Sequence, residues 1–387
     1  MDEKKKNSLS NRAGLTLIEL AIVVAIMAII SIVAFLGLTG YRGDQNLKLS
    51  MAEFITVMRD VQKRSITQEE GSQWGVKLTN AKNGDSYYEV FKGANYNADA
   101  VDKFYVLRRG VKFSEPYASS TYQVVFAPLS GNLAKNKIIS LLGGERGEGV
   151  GDMILNTLGL VFSKIEKGVI GYWHFDEGAG NLVHDASVSN LTGTIYENGS
   201  PCNPCNKWRT GADCKAGGCL DFQGYDQNYI SGDLSDRPIT LSAFTIEAWV
   251  KLNANQNKAG ILTTYYASNE DNISGRFKSS SREPSFYTKG DGDESGNTVE
   301  AGSLLKRTRW WYHLAFVYDG QYKKIYIDGA EKKRRLEPNK EFTIYFFDIG
   351  RSEMDNYRVL DGSLDEVKFY KRALSGSEIL DHYNDFK

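Results

Sequence analysis

Phe244-Thr245-Ile246-Glu247-Ala248-Trp249-Val250-Lys251 changes character at every second residue. Successive side chains of an extended chain point to opposite faces. Phe244, Ile246, Ala248 and Val250 therefore predict a core face, and Thr245, Glu247, Trp249 and Lys251 an outer face. The string Trp311–Gly320 (WYHLAFVYDG) repeats the pattern through Leu314, Phe316 and Tyr318. Asp319-Gly320 and Asp328-Gly329 then predict type I′ hairpin turns, in which both central residues take positive φ. Outward from these strings, residues 168–387 are short aromatic runs broken by Gly, Asp and Asn, the pattern of a large all-β sandwich.

The whole chain agrees with that texture. Its 387 residues hold 38 Gly and 22 Tyr, and 41% are hydrophobic, enough for real cores and many tight turns. Lys+Arg 47 against Asp+Glu 48 leaves a net charge of −1. No whole-protein field for nucleic acid follows, and no nucleic-acid partner is expected. A coiled coil and a polytopic membrane protein are excluded on the same composition.

The amino terminus has its own logic. Lys4, Lys5, Lys6 and Arg12 precede an uncharged apolar run, Leu20–Leu38. As a helix this run reaches roughly 29 Å, close to the ~30 Å hydrocarbon core. The basic side is expected to stay cytoplasmic and the remainder to be exported, with a single crossing. No A-x-A cleavage pattern follows the run, as a secretory signal requires. Just before it, Gly14-Leu15-Thr16-Leu17-Ile18-Glu19 places a carboxylate inside an otherwise apolar helix. A charge there is costly in lipid and points to function. Cleavage after Gly14 would give Leu15 a free amine able to pair with Glu19.

This string resembles the class III signal of type IV prepilins and pseudopilins. The resemblance implies that prepilin peptidase cuts after Gly14 and methylates Leu15, and that Glu19 is needed for assembly with other pilin subunits. Leu15 replaces the commoner Phe, and the Pro many pilins carry in the run is missing. A plain signal anchor that never polymerises is the alternative. The implied location is the inner membrane before assembly, then an extracellular filament or the cell surface.

Beyond the membrane, Leu47, Met51, Phe54, Ile55, Met58 and Val61 continue at helical spacing, with Lys48, Glu53, Arg59 and Lys63 opposite. One helix from Leu15 to about Gln68 is predicted, with Gly37, Gly40 and Gly43 as places where it could bend. Seven short β-like runs follow: Trp74–Thr79, Ser86–Lys92, Lys103–Arg108, Thr121–Ala127, Lys137–Leu142, Met153–Asn156 and Leu160–Ser163. The expected fold is an α+β pilin module, similar to minor pseudopilin H and FimT-type pilins, followed by the all-β sandwich. The boundaries are a leader at 1–14, an apolar helix at 15–40, a helix and β head at 41–163, a linker at 164–167 and the sandwich at 168–387.

Several strings of the last segment carry a second resemblance: Gly171–Gly180 (GYWHFDEGAG), Cys219–Gly224, Phe244–Val250, Trp311–Gly320, Ile325–Gly329 and Gly362–Ser375 (GSLDEVKFYKRALS). Together they resemble the laminin-G-like, concanavalin A-like jelly roll of bacterial surface proteins. That resemblance implies sugar or protein binding and, in many members, Ca²⁺ at the rim. Calcium takes six to eight oxygens. Asp176 and Glu177 close the first strand and Asp365 and Glu366 open the last, so a shared Ca²⁺ site of these four is expected. Gly290–Asn297 (GDGDESGN) imitates the start of an EF-hand, but Gly302 stands where the closing Glu belongs, and an acidic hairpin tip is the better reading. Tyr265, Tyr266, Phe286 and Tyr287 are the candidates for sugar stacking, while Trp173, Trp249, Trp311 and His313 read as core.

All four cysteines, Cys202, Cys205, Cys214 and Cys219, are clustered. In an exported chain they predict two disulfides, and avoidance of a tight C-x-x-C ring favours bridges from Cys202 and Cys205 to Cys214 and Cys219. A four-thiolate zinc site is the rival, disfavoured by the oxidising location. Catalytic patterns are weak: Glu353-Met354-Asp355 lacks the second Glu of a two-carboxylate hydrolase strand, and no phosphate loop or serine elbow is present. The expected protein is a non-enzymatic minor pilin or pseudopilin displaying a lectin-like module for a glycan or surface protein. The alternatives are a secretion-system pseudopilin that recognises exported substrates and a membrane-anchored glycan hydrolase.

Overall fold

A computed structural model describes residues 17–387 except 82–83, 115–119, 134–136, 144–148, 156–160, 188, 225–226, 267–269, 291–296, 303–304, 353–357 and 387. Within the helix and strands, the side chains of 17–20, 23, 28–41, 137–138, 149, 152, 154, 161–165, 270 and 271 are not described. The first helix runs Leu17–Ile66. Most of its apolar run thus lies outside the described side chains, and among the described residues no helix is long and apolar enough to cross a membrane.

The second half of that helix behaves as its periodicity requires. Leu47, Met51, Phe54, Met58 and Val61 are buried, while Lys48, Glu53, Arg59 and Lys63 are exposed. The buried stripe lies on two antiparallel sheets that are each four-stranded among the described residues. The first has the order Val101–Val106, Tyr87–Lys92, Trp74–Thr79, Thr121–Val125; the second Lys112–Phe113, Lys137–Gly143, Gly149–Leu155, Val161–Lys167. Helix and second sheet approach closely because two glycines face the helix. A Cβ on Gly143 would stand 2.8 Å from Leu47 Cβ, and one on Gly151 2.9 Å from Met51 Cγ.

Residues 164–167 are not a linker, which corrects the predicted boundary. They complete strand Val161–Lys167, which pairs along its length with Gly149–Leu155 and turns at Gly168 (φ +77°) straight into Val169–Trp173. A segment with a full ladder of backbone partners has no reason to stay loose.

The rest of the chain is a two-sheet sandwich. In the front sheet, Trp208–Thr210, Gly218–Phe222, Gly362–Tyr370, Phe244–Leu252, Trp311–Tyr318, Tyr322–Ile327 and Ala330–Leu336 follow in that order. Val169–Trp173 joins it on Gly362–Tyr370, so the first and last long strands are neighbours, as expected of a jelly roll. The back sheet runs from Leu182–Val183 through Phe346–Ile349 and Gly260–Tyr266 to Asn297–Glu300. Neighbours in space that are far apart in sequence give the crossover connections of a sandwich. Between the sheets, Phe244, Ile246, Ala248 and Val250 are buried with Leu314, Phe316 and Tyr318, as their parity predicts.

The outer parity is the surprise. Thr245, Glu247 and Trp249 are also buried. Part of this face is covered by the second head sheet, whose Leu142 and Val150 pack among Tyr172, Val317, Tyr370 and Leu374. The C-terminal helix Gly376–Asp385 also covers it, inserting Ile379 and His382. That helix starts with a capping box: Ser375 Oγ accepts from the Glu378 amide, and the Glu378 carboxylate accepts from the Ser375 amide at 2.8 Å.

One turn departs from expectation. Asp328 (φ 50°) and Gly329 (φ 75°) form the predicted left-handed pair. At Asp319-Gly320 only Gly320 is left-handed (φ 90°). There Asp319 Oδ1 accepts the amides of Gln321 and Tyr322, which closes a three-residue loop before the strand Tyr322–Ile327.

Candidate functional site: one sheet face, half docked and half open

The docked half is polar at its heart. Glu166, on the last head strand, accepts a hydrogen bond from Lys368 Nζ at 2.9 Å and another from the Tyr370 hydroxyl, and lies 3.5 Å from His382 Nε2. His382 Nδ1 meets Glu247 Oε2 at 2.6 Å, and His313 Nε2 lies 3.8 Å from Glu247 Oε1. His313 is thus a buried structural residue, as its reading from sequence holds. Burial works to raise both carboxyls, but Lys368 and His382 outweigh it at Glu166 and His382 does so at Glu247, so both titrate below the usual range. Burial works to lower His382, but Glu247 and Glu166 together raise it.

These shifts set a pH window. A raised His382 adds stability that is complete below its unfolded value of about 6.5 and fades as pH rises through the folded value. Depressed Glu166 and Glu247 add stability that is complete above their unfolded value of about 4.3 and fades as pH falls. The joint is therefore expected to be firmest between about pH 4.3 and 6.5. Amide exchange of residues 161–167 against pH checks this; a profile unchanged by His382→Asn would refute it.

A second contact joins head and sandwich nearby. Ser140 Oγ lies 3.2 Å from His174 Nε2, and His174 Nδ1 lies 2.9 Å from Glu366 Oε1. Glu366 also accepts from the Tyr172 hydroxyl. Its position follows from a bulge: the pairing of Gly362–Tyr370 with Phe244–Leu252 shifts register between Glu247 and Trp249, and Glu366 takes φ 51°. The extra residue sends neighbours Asp365 and Glu366 both outward.

The four expected calcium carboxylates are not gathered into one site, which corrects that expectation. Glu366 is turned to Tyr172 and His174, and Glu177 Oε1 accepts the His184 amide at 2.6 Å. Asp365 feels the charges of Glu366 and Asp176, but each of the three carboxylates is held by partners of its own. Asp176 accepts the Gly218 amide, and Asp365 Oδ2 accepts the amides of Lys215 (2.8 Å) and Ala216 (2.9 Å). Burial, then Glu366 and Asp176, push the Asp365 carboxyl well above its ordinary range. Among the described residues no group of three or more His, Cys, Asp or Glu side chains is placed to hold a metal. Most of the EF-hand-like string, 291–296, and the stretch Glu353-Met354-Asp355 lie outside the described residues, as do Gly14, Leu15 and the Glu19 side chain.

Both disulfides form, but locally. Cys202 bonds Cys205 (Cα–Cα 5.0 Å) and Cys214 bonds Cys219 (5.3 Å), against the predicted cross-pairing. The reason lies in the sheets. Cys202 follows Ser200–Pro201, which pairs with the back sheet through Gly193–Glu197, whereas Cys219 sits in front-sheet strand Gly218–Phe222.

The tyrosine candidates do not converge either. Tyr265 is fully buried, its hydroxyl on Asp348 at 2.9 Å; Phe286 is core; Tyr287 lies under Arg276; only Tyr266 is exposed, edge-on to Tyr345. All belong to the back sheet.

The open half of the front-sheet face holds what those candidates were meant to supply. Two adjoining cavities of about 450 and 380 Å³ share Arg309 and Trp311. The first is lined by Arg209, Asp221, Lys251 and Asn253; the second by Trp249, Trp310, Tyr383, Lys215 and Asp328. Trp249 stacks on Tyr383 (centroids 5.8 Å), and Lys215 Nζ lies 4.1 Å from the Trp249 ring centroid. Burial lowers the Lys215 ammonium against the pull of Asp328 and Asp365. Trp310 is 55% exposed, unusual for so large an apolar side chain. The signal was available in the sequence. Trp249 falls on the outer parity of its strand, and Lys251 is paired across the ladder with Trp311.

Two family models match parts of the chain. Residues 9–35 match the model of the prokaryotic N-terminal methylation motif. Residues 224–380 match that of the concanavalin A-like lectin/glucanases superfamily. A search of curated proteins finds no match. Among solved structures, domain 4 of an extracellular GH43 arabinanase from Geobacillus stearothermophilus, in complex with arabinotriose, is 20% identical with a TM-score of 0.44. The alignment covers 55% of this chain and 97% of that one. The binding domain of Paraclostridial Mosquitocidal Protein 1 is 11% identical (TM-score 0.42), covering 57% of this chain and 52% of that one. The Botulinum neurotoxin serotype D ligand binding domain, in complex with N-acetylneuraminic acid, is 13% identical (TM-score 0.41), covering 56% and 51%. The chain thus spans about half the length of the last two. All three are distant likenesses of fold. With its basic leader, Gly14 and Glu19 at one end and its two-sheet sandwich at the other, the chain joins a type IV pilin N-terminal methylation signal to a concanavalin A-like laminin G domain.

Proposed function

We propose that this chain is a minor subunit of a type IV pilin-like filament that carries its sandwich outward to attach to glycans or proteins on a surface. The observation that carries the reading is the division of one sheet face: the head docks on one half, and a tryptophan-lined groove stays open on the other. A subunit built for display needs both a fixed mount and an accessible face. In this reading the leader is removed after Gly14, Leu15 is methylated, and Glu19 pairs with an amino-terminal amine as helices pack. The bulk of residues 168–387 suits a sparse, tip-like position better than every place in a shaft. The sandwich binds without turnover.

Co-expression with a prepilin peptidase, followed by mass spectrometry of the amino terminus, tests the first half. The expected product begins at methylated Leu15, and Glu19→Val is expected to leave the processed chain in the membrane and out of filaments. An intact leader would sink the filament reading. Full-length protein in detergent, screened on a glycan array with Ca²⁺ and with chelator, tests the second half.

A further inference from the structure

We propose that the open groove is a binding site for an acidic oligosaccharide, seated on Trp310 and Trp311 with its anionic groups against Lys215, Lys251 and Arg309. The inference rests on the display reading above and adds a place and a ligand class to it.

Three of the six tryptophans of the chain line one groove, with Trp310 exposed, Trp311 half-buried and Trp249 buried at its base. A pyranose ring has an apolar C–H face and a rim of hydroxyls, so it fits an indole surface that adjoins hydrogen-bonding groups. The two cavities supply that pair of surfaces side by side, aromatic in one and Arg209, Asp221 and Asn253 in the other. Pockets of this size with a few convergent polar groups are typical small-ligand sites.

Charge narrows the class. Among the described residues Lys215, Lys251 and Arg309 form no close ion pair, although Asp328 and Asp365 act on Lys215 from a greater distance. Lys251 Nζ donates to the Asp213 carbonyl at 2.6 Å and lies 4.9 Å from the Trp311 ring centroid. The groove carboxylates, by contrast, are engaged: Asp221 with Arg209 at 2.9 Å, and Asp328 Oδ1 with the His313 amide at 3.0 Å. Cations beside stacking surfaces, with no carboxylate in direct contact, complement carboxylate or sulfate groups on the stacked ring. The presence of Asp213, Asp221 and Asp328 in the same groove disfavours a chain charged at every unit, such as nucleic acid. It favours sugars whose charges alternate with neutral rings, because their hydroxyls can donate to those carboxylates.

The test uses the full chain in detergent, with tryptophan fluorescence as the readout. The probes are a hyaluronan hexasaccharide, a chondroitin sulfate hexasaccharide, the carboxyl-reduced neutral form of the first, and a dT hexamer. Saturable binding of one or both acidic sugars is expected, at least tenfold tighter than the neutral form. Hyaluronan alone would assign carboxylate as the anchor, and a preference for chondroitin sulfate would assign sulfate. Trp310→Ala, at an exposed site where the fold is not at risk, should weaken binding at least tenfold. Lys215→Gln/Arg309→Gln should weaken the acidic sugars but not the neutral one, with an unchanged melting curve. Equal binding of the neutral form, tighter binding of dT, indifference to all the groove variants, or no binding of either acidic sugar would overturn the inference. The display reading fails separately, through an uncleaved leader.

Discussion

Replacing Glu166 by Ala is expected to cost about 3–5 kcal/mol and to uncouple the sandwich from the head. The carboxylate is 5% exposed and serves Lys368, Tyr370 and His382 at once. Its removal takes the shared acceptor from three side chains of the sandwich in a place water does not reach, and the desolvation already incurred is no longer offset. Denaturant unfolding with far-UV and tryptophan probes reads the outcome. Wild type should unfold with the head and sandwich linked, and Glu166→Ala with an earlier, separate head transition. A loss under about 1 kcal/mol would mean that the contact behaves as an exposed pair. A double-mutant cycle with Lys368→Met isolates the coupling, since replacing both partners by apolar groups should recover part of the loss.

Phe244→Ala is expected to destabilise the sandwich by about 3–5 kcal/mol. Phe244 is fully buried, with ring centroids 5.4 Å from Phe342, 5.7 Å from Tyr318 and 5.9 Å from Phe286. These neighbours come from both sheets, so the cavity left behind is walled by rigid rings with little room to collapse. A shift of the denaturant midpoint with an unchanged slope would show a loss of stability alone. A changed slope would show that packing between the sheets has loosened. The variant should leave residues 42–66 helical, because that stripe belongs to the separate head core.

These two residues mark what could and could not be read from the chain. Phe244 was legible because core parity repeats every second residue and needs only local information. The strands of the head and the helix face from Leu47 to Val61 were legible on the same kind of period. Glu166 was not, because its role depends on a partner sheet some two hundred residues later in the chain. The C-terminal helix, packed back from the far end of the chain, meets Glu247 through His382 and Trp249 through Tyr383, on a face that strand parity alone marks only as outer. Cysteine pairing failed for a related reason, since which sheet receives each cysteine is decided by topology and not by spacing. The binding candidates failed differently. Tyr265 and Tyr287, the candidates for sugar stacking, lie in strands of the back sheet, whereas the groove is built by the outward Trp249 and the strand-opening Trp310-Trp311 pair.

The strand Gly362–Tyr370 has a mechanical consequence. Ser363, near its start, lines the open groove, while Lys368 and Tyr370, near its end, hold the head. In the proposed display role, tension between a ligand in the groove and the head is carried lengthwise along one strand. That strand is laced into the front sheet by neighbours on both sides, Phe244–Leu252 and Gly218–Phe222 followed by Val169–Trp173. Its antiparallel hydrogen bonds lie across the pull, so they are loaded in parallel and must yield together, unlike a hairpin peeled open one rung at a time. In that proposed role the strand acts as a stiff coupling between the mount and the groove.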